Sequence, residues 1–269
     1  MAINLFKANP YHRRLRRILL VTWFCFSFMV RSAGGEGRFQ TGAGMAGLAE
    51  AGGERVVFVT RLPYNDPHWY ANIGYFCDDE NHKAYAGNGK PDDSKLYALY
   101  TKTGKVDVVF DGKGGGLRDA TVHYDGKTVL FSYRPAGKDS YNLYEIQSDG
   151  TRLRRITDSA YDDYEATYLP TDDIVFVSTR SMRWVGCWKT QVGTLFRCDR
   201  RGGNLQPLSF NMEHDNTPAV LSDGRILYTR WEYIDRSQVG YHHLWAMNPD
   251  GTDVVAYYGN QRHYPLYIE

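Results

Sequence analysis

The densest chemistry in the sequence lies in RWEYIDRSQVGYHHLW, residues 230–245, where Arg230 and Arg236 bracket the acids Glu232 and Asp235 and where His242 and His243 stand side by side. A second set of polar residues precedes apolar strand patterns: Arg118-Asp119, Asp163 with Glu165, and Glu213-His214-Asp215-Asn216. Three chemistries use such residues. Paired carboxylates divide acid and base roles when their surroundings split their pKa values, which makes Asp119, Asp163, Glu165 and Asp215 candidates. A hard or borderline cation would find donors at Glu213, His214 and Asp215, but needs more ligands from elsewhere in the chain. The third chemistry is structural: the same acids pair with Arg61, Arg134, Arg180 and Arg230 or accept from strand amides.

Several observations weigh between these. Neighbours on a strand point to opposite faces, so His242 and His243 are poorly placed to share one ion, and no metal site is expected. No Ser nucleophile elbow, P-loop or Cys-His pair appears, and no catalytic residue is assigned. The interspersed bases and acids Arg230, Glu232, Asp235 and Arg236 suit an internal salt-bridge net reaching His214 and Asp215. Trp69, Tyr70, Trp184, Trp188, Trp231 and Tyr233 suit either stacking on a sugar or protein partner, or wedging within the fold. Cys187 and Cys198 read equally as a disulfide or as two reduced thiols.

The elements that position these residues follow from internal repetition. LRDATVHYDGKTVLFSYR from 117, YEATYLPTDDIVFVSTR from 164 and DNTPAVLSDGRILYTRW from 215 share one plan, with RVVFVTR from 55 as a partial copy. A second shared segment follows each, and Leu96, Leu143, Leu195 and Leu244 within it are spaced by 47, 52 and 49 residues. Asp125-Gly126 and Asp223-Gly224 sit between the first and second strand patterns; Thr103-Gly104, Asp149-Gly150 and Asp250-Gly251 sit between the third and fourth. Gly accepts the positive φ of tight hairpins, so these are expected to be two-residue turns. Four-stranded units repeating every forty to fifty residues are β-propeller blades.

The expected fold is therefore all-β: a propeller of four-stranded antiparallel blades at about 54–112, 117–158, 163–210 and 215–260, in an incomplete or open ring. Inner strands are expected to start near Asp119, Glu165 and Thr217. The tight turns share one face; the opposite, loop-rich face carries Arg118, Asp119, Asp163, Glu165, His214, Asp215, Asn216, Arg230, Glu232, Asp235 and Arg236 as candidate binding residues, because function in such scaffolds lives on loops held by rigid strands.

Composition agrees. Of 269 residues, 42% are hydrophobic and 14% aromatic, including 21 Tyr, which suits pleated, half-buried surfaces. Lys7, Arg13, Arg14, Arg16 and Arg17 precede the thirteen-residue apolar run Ile18 to Val30, and small residues follow at Ser32, Ala33 and Gly34. Residues 1–33 thus read as a secretory signal, with an uncleaved membrane anchor as the alternative, and the chain is expected to be exported. Residues 34–53 read as a Gly-rich linker. Cleavage after 33 removes six of the 32 basic residues and none of the 31 acidic ones, leaving 26 against 31, a net −5. That balance argues against a nucleic-acid partner.

RDATVHYDGKTVLFSYR, YNLYEIQSDG, EHDNTPAVLSDGRILYTRWEYIDRSQVGYHHLWAMNPDGT and DPHWYANIGY resemble, over residues 54–268, the exported propeller proteins related to the middle domain of the hydrazine synthase alpha subunit. Those in turn are similar to TolB-type, WD40-like propellers. The resemblance implies that family chains continue with further blades, and another chain is the expected source of blades missing here; it also implies Pro at positions occupied by Ala120 and Ala166, while Pro218 keeps it. The haem enzyme that names the family attaches haem through Cys-x-x-Cys-His, a motif this chain lacks, so no cofactor is expected. The function expected is a non-enzymatic binding or scaffold module for a protein or glycan. The alternative is an enzyme, or a subunit of a cofactor-containing complex, using the acid and His cluster.

Overall fold

A computed structural model describes residues 54–61, 93–186, 190–233 and 242–259. These residues build fifteen strands in four antiparallel sheets that follow one another in chain order. The first sheet holds β1 (Arg55–Thr60), β2 (Lys95–Tyr100) and β3 (Val106–Asp111). The second holds β4 (Gly116–Val122), β5 (Thr128–Arg134), β6 (Asn142–Gln147) and β7 (Arg154–Arg155). β8 (Asp163–Tyr168), β9 (Ile174–Ser178), β10 (Thr194–Cys198) and β11 (Gln206–Pro207) form the third, and β12 (Asp215–Val220), β13 (Ile226–Trp231), β14 (His242–Met247) and β15 (Val255–Tyr258) the fourth. Each is a meander, every strand pairing with the next. Among the described residues no strand of the last sheet pairs with one of the first, so strand pairing does not close the array.

The blade plan expected from the repeats is thus present, with three differences. The first sheet has three strands among the described residues, because its opening copy RVVFVTR corresponds to the second strand of the other blades. The expected starting points of the inner strands, Asp119, Glu165 and Thr217, lie inside β4, β8 and β12, each at a register shift. The hairpins are also not two-residue turns. Leu221 N donates to Arg225 O and Gly224 N to Leu221 O, which makes a three-residue loop with only the glycine at positive φ, 91°. The Asp before it instead folds its side chain back onto the turn, as Asp223 Oδ1 does in accepting from Arg225 N at 3.1 Å. This is the type I turn closed by a left-handed residue, the next commonest hairpin after the primed types.

Three apolar clusters fill the gaps between sheets. Leu96, Ala98 and Val109 of the first blade meet Leu117, Val129, Phe131 and Ile146 of the second. Leu130, Leu143 and Ile156 then meet Tyr168, Ile174, Phe176 and Cys198, and Val175, Val177 and Leu195 meet Ile226, Tyr228, Trp231 and Met247. A strand packed on both faces has no polar side to show, which is why β9, IVFVS, reads as an unbroken buried run. Among the described residues no helix is long and apolar enough to cross a membrane. Residues 1–53, which carry the expected signal and linker, lie outside the described ones.

Candidate functional site

The inner strands are joined by a relay of carboxylates. Asp119, Glu165 and Thr217 occupy equivalent bulges with φ of 57°, 48° and 52°, a left-handed conformation uncommon for residues with a Cβ. A bulge takes a backbone amide out of the strand ladder, and that amide needs another acceptor. Glu165 N finds Asp119 Oδ2 at 3.1 Å, and Thr217 N finds Glu165 Oε2 at 2.6 Å. Arg118, almost fully buried, binds both acids: Nε donates to Asp119 Oδ2 at 2.5 Å and Nη2 to Glu165 Oε1 at 3.1 Å, with the guanidinium 4.9 Å above the Tyr164 ring. The structure therefore brings Arg118, Asp119 and Glu165 together across two blades.

Asp163 and Asp215 do not join them. They open β8 and β12, and each grips an arginine of its own blade. Arg230 donates to Asp215 from Nε at 2.9 Å and from Nη2 at 3.3 Å, while Arg180 forks onto Asp163, whose Oδ1 also accepts from Ser178 Oγ at 2.8 Å. Both carboxylates are fully buried; burial pushes them up and the paired guanidinium pulls them back. One residue earlier, Asp162 and His214 occupy the same place in successive blades. Asp162 Oδ1 accepts from Tyr141 N at 2.8 Å and His214 Nδ1 from Gly193 N at 3.1 Å. Burial pushes the Asp162 carboxyl up to about 7 and the His214 imidazole down to about 3, so His214 is neutral.

The aromatic part of the cluster is a stack. Trp231 lies between His214, at 6.1 Å and 14°, and His242, at 5.1 Å and 11°, with Tyr233 at 4.8 Å. His242 is also pushed down to about 3 by burial. His243 points the other way, its Nδ1 3.4 Å from Glu232 Oε2, as neighbours on a strand must. Asn216 is buried opposite Thr229. Among the described residues no group of three His, Cys, Asp or Glu is placed to hold a metal ion. Asp235, Arg236, Cys187, Trp188, Trp69 and Tyr70 lie outside the described residues. Cys198 is a free, buried thiol pushed up to about 12 by burial, and it stands at the end of β10 away from the 179–193 loop.

Around these buried pairs, the loops ahead of β10 and β12 form the rim. Arg183 Nη2 donates to Asn211 O at 2.5 Å, which ties the two loops together. Beside that contact Met182, Phe210 and Met212 are 68%, 75% and 67% exposed. Glu213, read from the sequence as a cation donor but not among the candidate binding residues, is buried here and pushed up to about 7 by burial. Its signal was its place two residues before the buried Asp215, the place that Tyr161 holds before Asp163. Arg118 was expected on an open face; its role as a clamp was not readable, because its partner Glu165 lies 47 positions away.

Two solved structures share this architecture over 76% of the chain. They are TolB from Acinetobacter baumannii, at 18% identity and a TM-score of 0.50, and Kuenenia stuttgartiensis hydrazine synthase, at 16% identity and a TM-score of 0.58. The matched part spans 41% of the first chain and 32% of the second. No protein-family model matches the sequence, and no curated protein matches it. The chain is a β-propeller. Its fold is of the TolB type, shared with hydrazine synthase, and at these identities the likeness is one of fold.

Proposed function

We propose that the chain is an exported propeller acting as a non-enzymatic binding or scaffold module, which holds a protein or glycan partner on its loop-rich face. The observation that carries this is the group of Met182, Phe210 and Met212, three large apolar side chains left in water beside a loop–loop hydrogen bond. Scattered exposed apolar residues are ordinary, but a local group on a loop-bearing face marks an interaction surface. The acids of the same face support binding over hydrolysis. Asp163 and Asp215 are each held by an arginine, and Asp119 and Glu165 serve strand amides, so these four are committed to holding the blades.

The test is site-specific photocrosslinking in cells that express the chain. A benzophenone side chain in place of Phe210 should yield a discrete adduct, and one in place of Tyr124, exposed at an inner hairpin turn, should not. No adduct from Phe210, or equal adducts from both, overturns the reading.

A further inference from the structure

Three methionines lie among the described residues, and the fold places them in two opposite ways. Met247 is fully buried in the cluster between the third and fourth blades. Met182 and Met212 are 68% and 67% exposed, on the two loops that the hydrogen bond from Arg183 to Asn211 ties together, with Phe210 beside them. The backbone does not ask for a methionine at 182. That residue ends the 3-10 turn Thr179–Ser181 with φ 53° and ψ 38°, its N–H donating to Thr179 O at 3.0 Å. Glycine or asparagine is the usual occupant of such a left-handed cap, because a bulky side chain strains it. A thioether kept there in water points to a use for the side chain itself. Its sulfur already accepts one hydrogen bond, from the Tyr161 hydroxyl at 3.4 Å.

We propose that Met182 and Met212 are a paired oxidation site that switches the binding face: conversion of both thioethers to sulfoxides by a peroxide releases the partner. This rests on the reading of the loop-rich face as a binding surface and names its regulation. At each sulfur a lone pair attacks one oxygen of hydrogen peroxide, the S–O bond forms and the O–O bond breaks. The hydroxyl proton passes to the departing hydroxide, which leaves as water; sulfur loses two electrons and the peroxide gains them. A dithiol reverses the step, returning the thioether, a disulfide and water. Unbranched thioethers adapt to a partner's surface, whereas a sulfoxide is polar and holds water. Oxidation therefore removes two of the three apolar side chains from the patch, and Phe210 alone is an ordinary exposed residue. At Met182 the new oxygen is a better acceptor than sulfur for the Tyr161 hydroxyl, so the polar form is held in place.

The site is tested on purified protein treated with hydrogen peroxide and read by peptide mass spectrometry. Met182 and Met212 should each gain one oxygen about tenfold or more faster than Met247, which catches up only after denaturation. Met247 oxidised at their rate in the folded chain overturns the site. For the switch, protein carrying benzophenone in place of Phe210 is oxidised or left reduced, returned to an extract of the cells and irradiated. Oxidation should cut the adduct about tenfold, and methionine sulfoxide reductases for both epimers, with dithiothreitol, should restore it. In the double variant Met182→Leu/Met212→Leu, the adduct should be the same with and without peroxide. An adduct unchanged when both residues are oxidised, or lost to the same degree in the double variant, overturns the switch and leaves the binding face. No adduct from the reduced protein removes the face and the switch together.

Discussion

The backbone N–H of Thr217 donates to Glu165 Oε2 at 2.6 Å, across the boundary between two blades, and the N–H of Glu165 itself donates to Asp119 Oδ2 at 3.1 Å. Each contact satisfies an amide that a bulge has removed from its own ladder, so the carboxylate is part of the backbone bonding of the next blade. Glu165→Ala should destabilise by about 3 kcal/mol, since it orphans the Thr217 amide and leaves Arg118 with one acid. Glu165→Gln keeps an acceptor for Thr217 and should cost about half as much. Urea unfolding of both variants checks the order.

Arg230 and Glu232 separate the structural and exposed parts of the opening stretch. Arg230 forks onto the fully buried Asp215, whereas the Glu232 side chain is 38% exposed and stands 3.4 Å from His243 Nδ1. Arg230→Met should cost about 3–5 kcal/mol by stranding a buried carboxylate. Glu232→Ala should cost about 1 kcal/mol or less. Equal losses in thermal melts would contradict this division.

Glycines at the two kinds of hairpin should respond differently to a methyl group. Gly126 and Gly224 have nothing within 4 Å of a built Cβ, so Ala there meets only the left-handed backbone penalty, about 1–2 kcal/mol. At Gly150 and Gly251 the Cβ would stand 2.9 Å from a carbonyl of the preceding blade, Val109 O and Leu208 O, and at Gly202 it would collide with Ile156 O. Gly202→Ala should therefore destabilise far more than Gly126→Ala. Comparable midpoints for the two in a urea titration would sink the argument.

The pH dependence has two opposed parts. Asp162 and Glu213 carry pKa values raised to about 7, so they stabilise the fold fully below the ordinary carboxyl range and lose that contribution as pH rises through 7. His214 and His242, lowered to about 3, contribute stability that is present above the usual imidazole pKa and is lost as pH falls toward 3. Stability should peak in weak acid. Asp162→Asn keeps an acceptor for the Tyr141 amide and cannot ionise, so its unfolding free energy, measured in urea, should gain on the parent between pH 5 and 8, by on the order of 2–4 kcal/mol. A constant difference across that range would refute the assignment.

Cys198 is a free thiol packed against Ile174 and Phe176 and pushed up to about 12. Iodoacetamide should leave it unmodified in the folded protein and modify it after denaturation without reductant. Labelling that appears only when reductant is added would show it to be bonded.

The blades were legible because their cause is local and repeated: apolar runs at similar spacing, most of them separated by a glycine at positive φ, with Asp172 at 69° in that place between β8 and β9. The turn length was misread because Asp-Gly is compatible with two hairpin types, and the choice depends on whether the Asp side chain folds back on the next amides. Much of the candidate face was not legible. Asp119 and Asp163 look alike in sequence, yet one serves the next blade's backbone and the other its own blade's arginine. That difference lies in the bulges of β4 and β8, where the backbone turns over within two residues. Glu213 was read from the sequence as a cation donor, and its burial against the Gly186 amide becomes visible only when the loop ahead of β10 is folded.

The relay of bulge carboxylates has a direction. Asp119 serves Glu165, Glu165 serves Thr217, and both acceptors belong to the blade that comes earlier in the chain. Thr217 has no carboxylate to pass on. A polypeptide that emerges N-terminus first therefore presents each acceptor before the amide that needs it has been made or threaded through. Every new blade meets a finished template on its upstream neighbour, and growth runs one way, like a zip closed from a fixed end. A chain with Asp119 and Glu165 both neutralised should still contain the same strands, but it would have lost the order in which they come to rest.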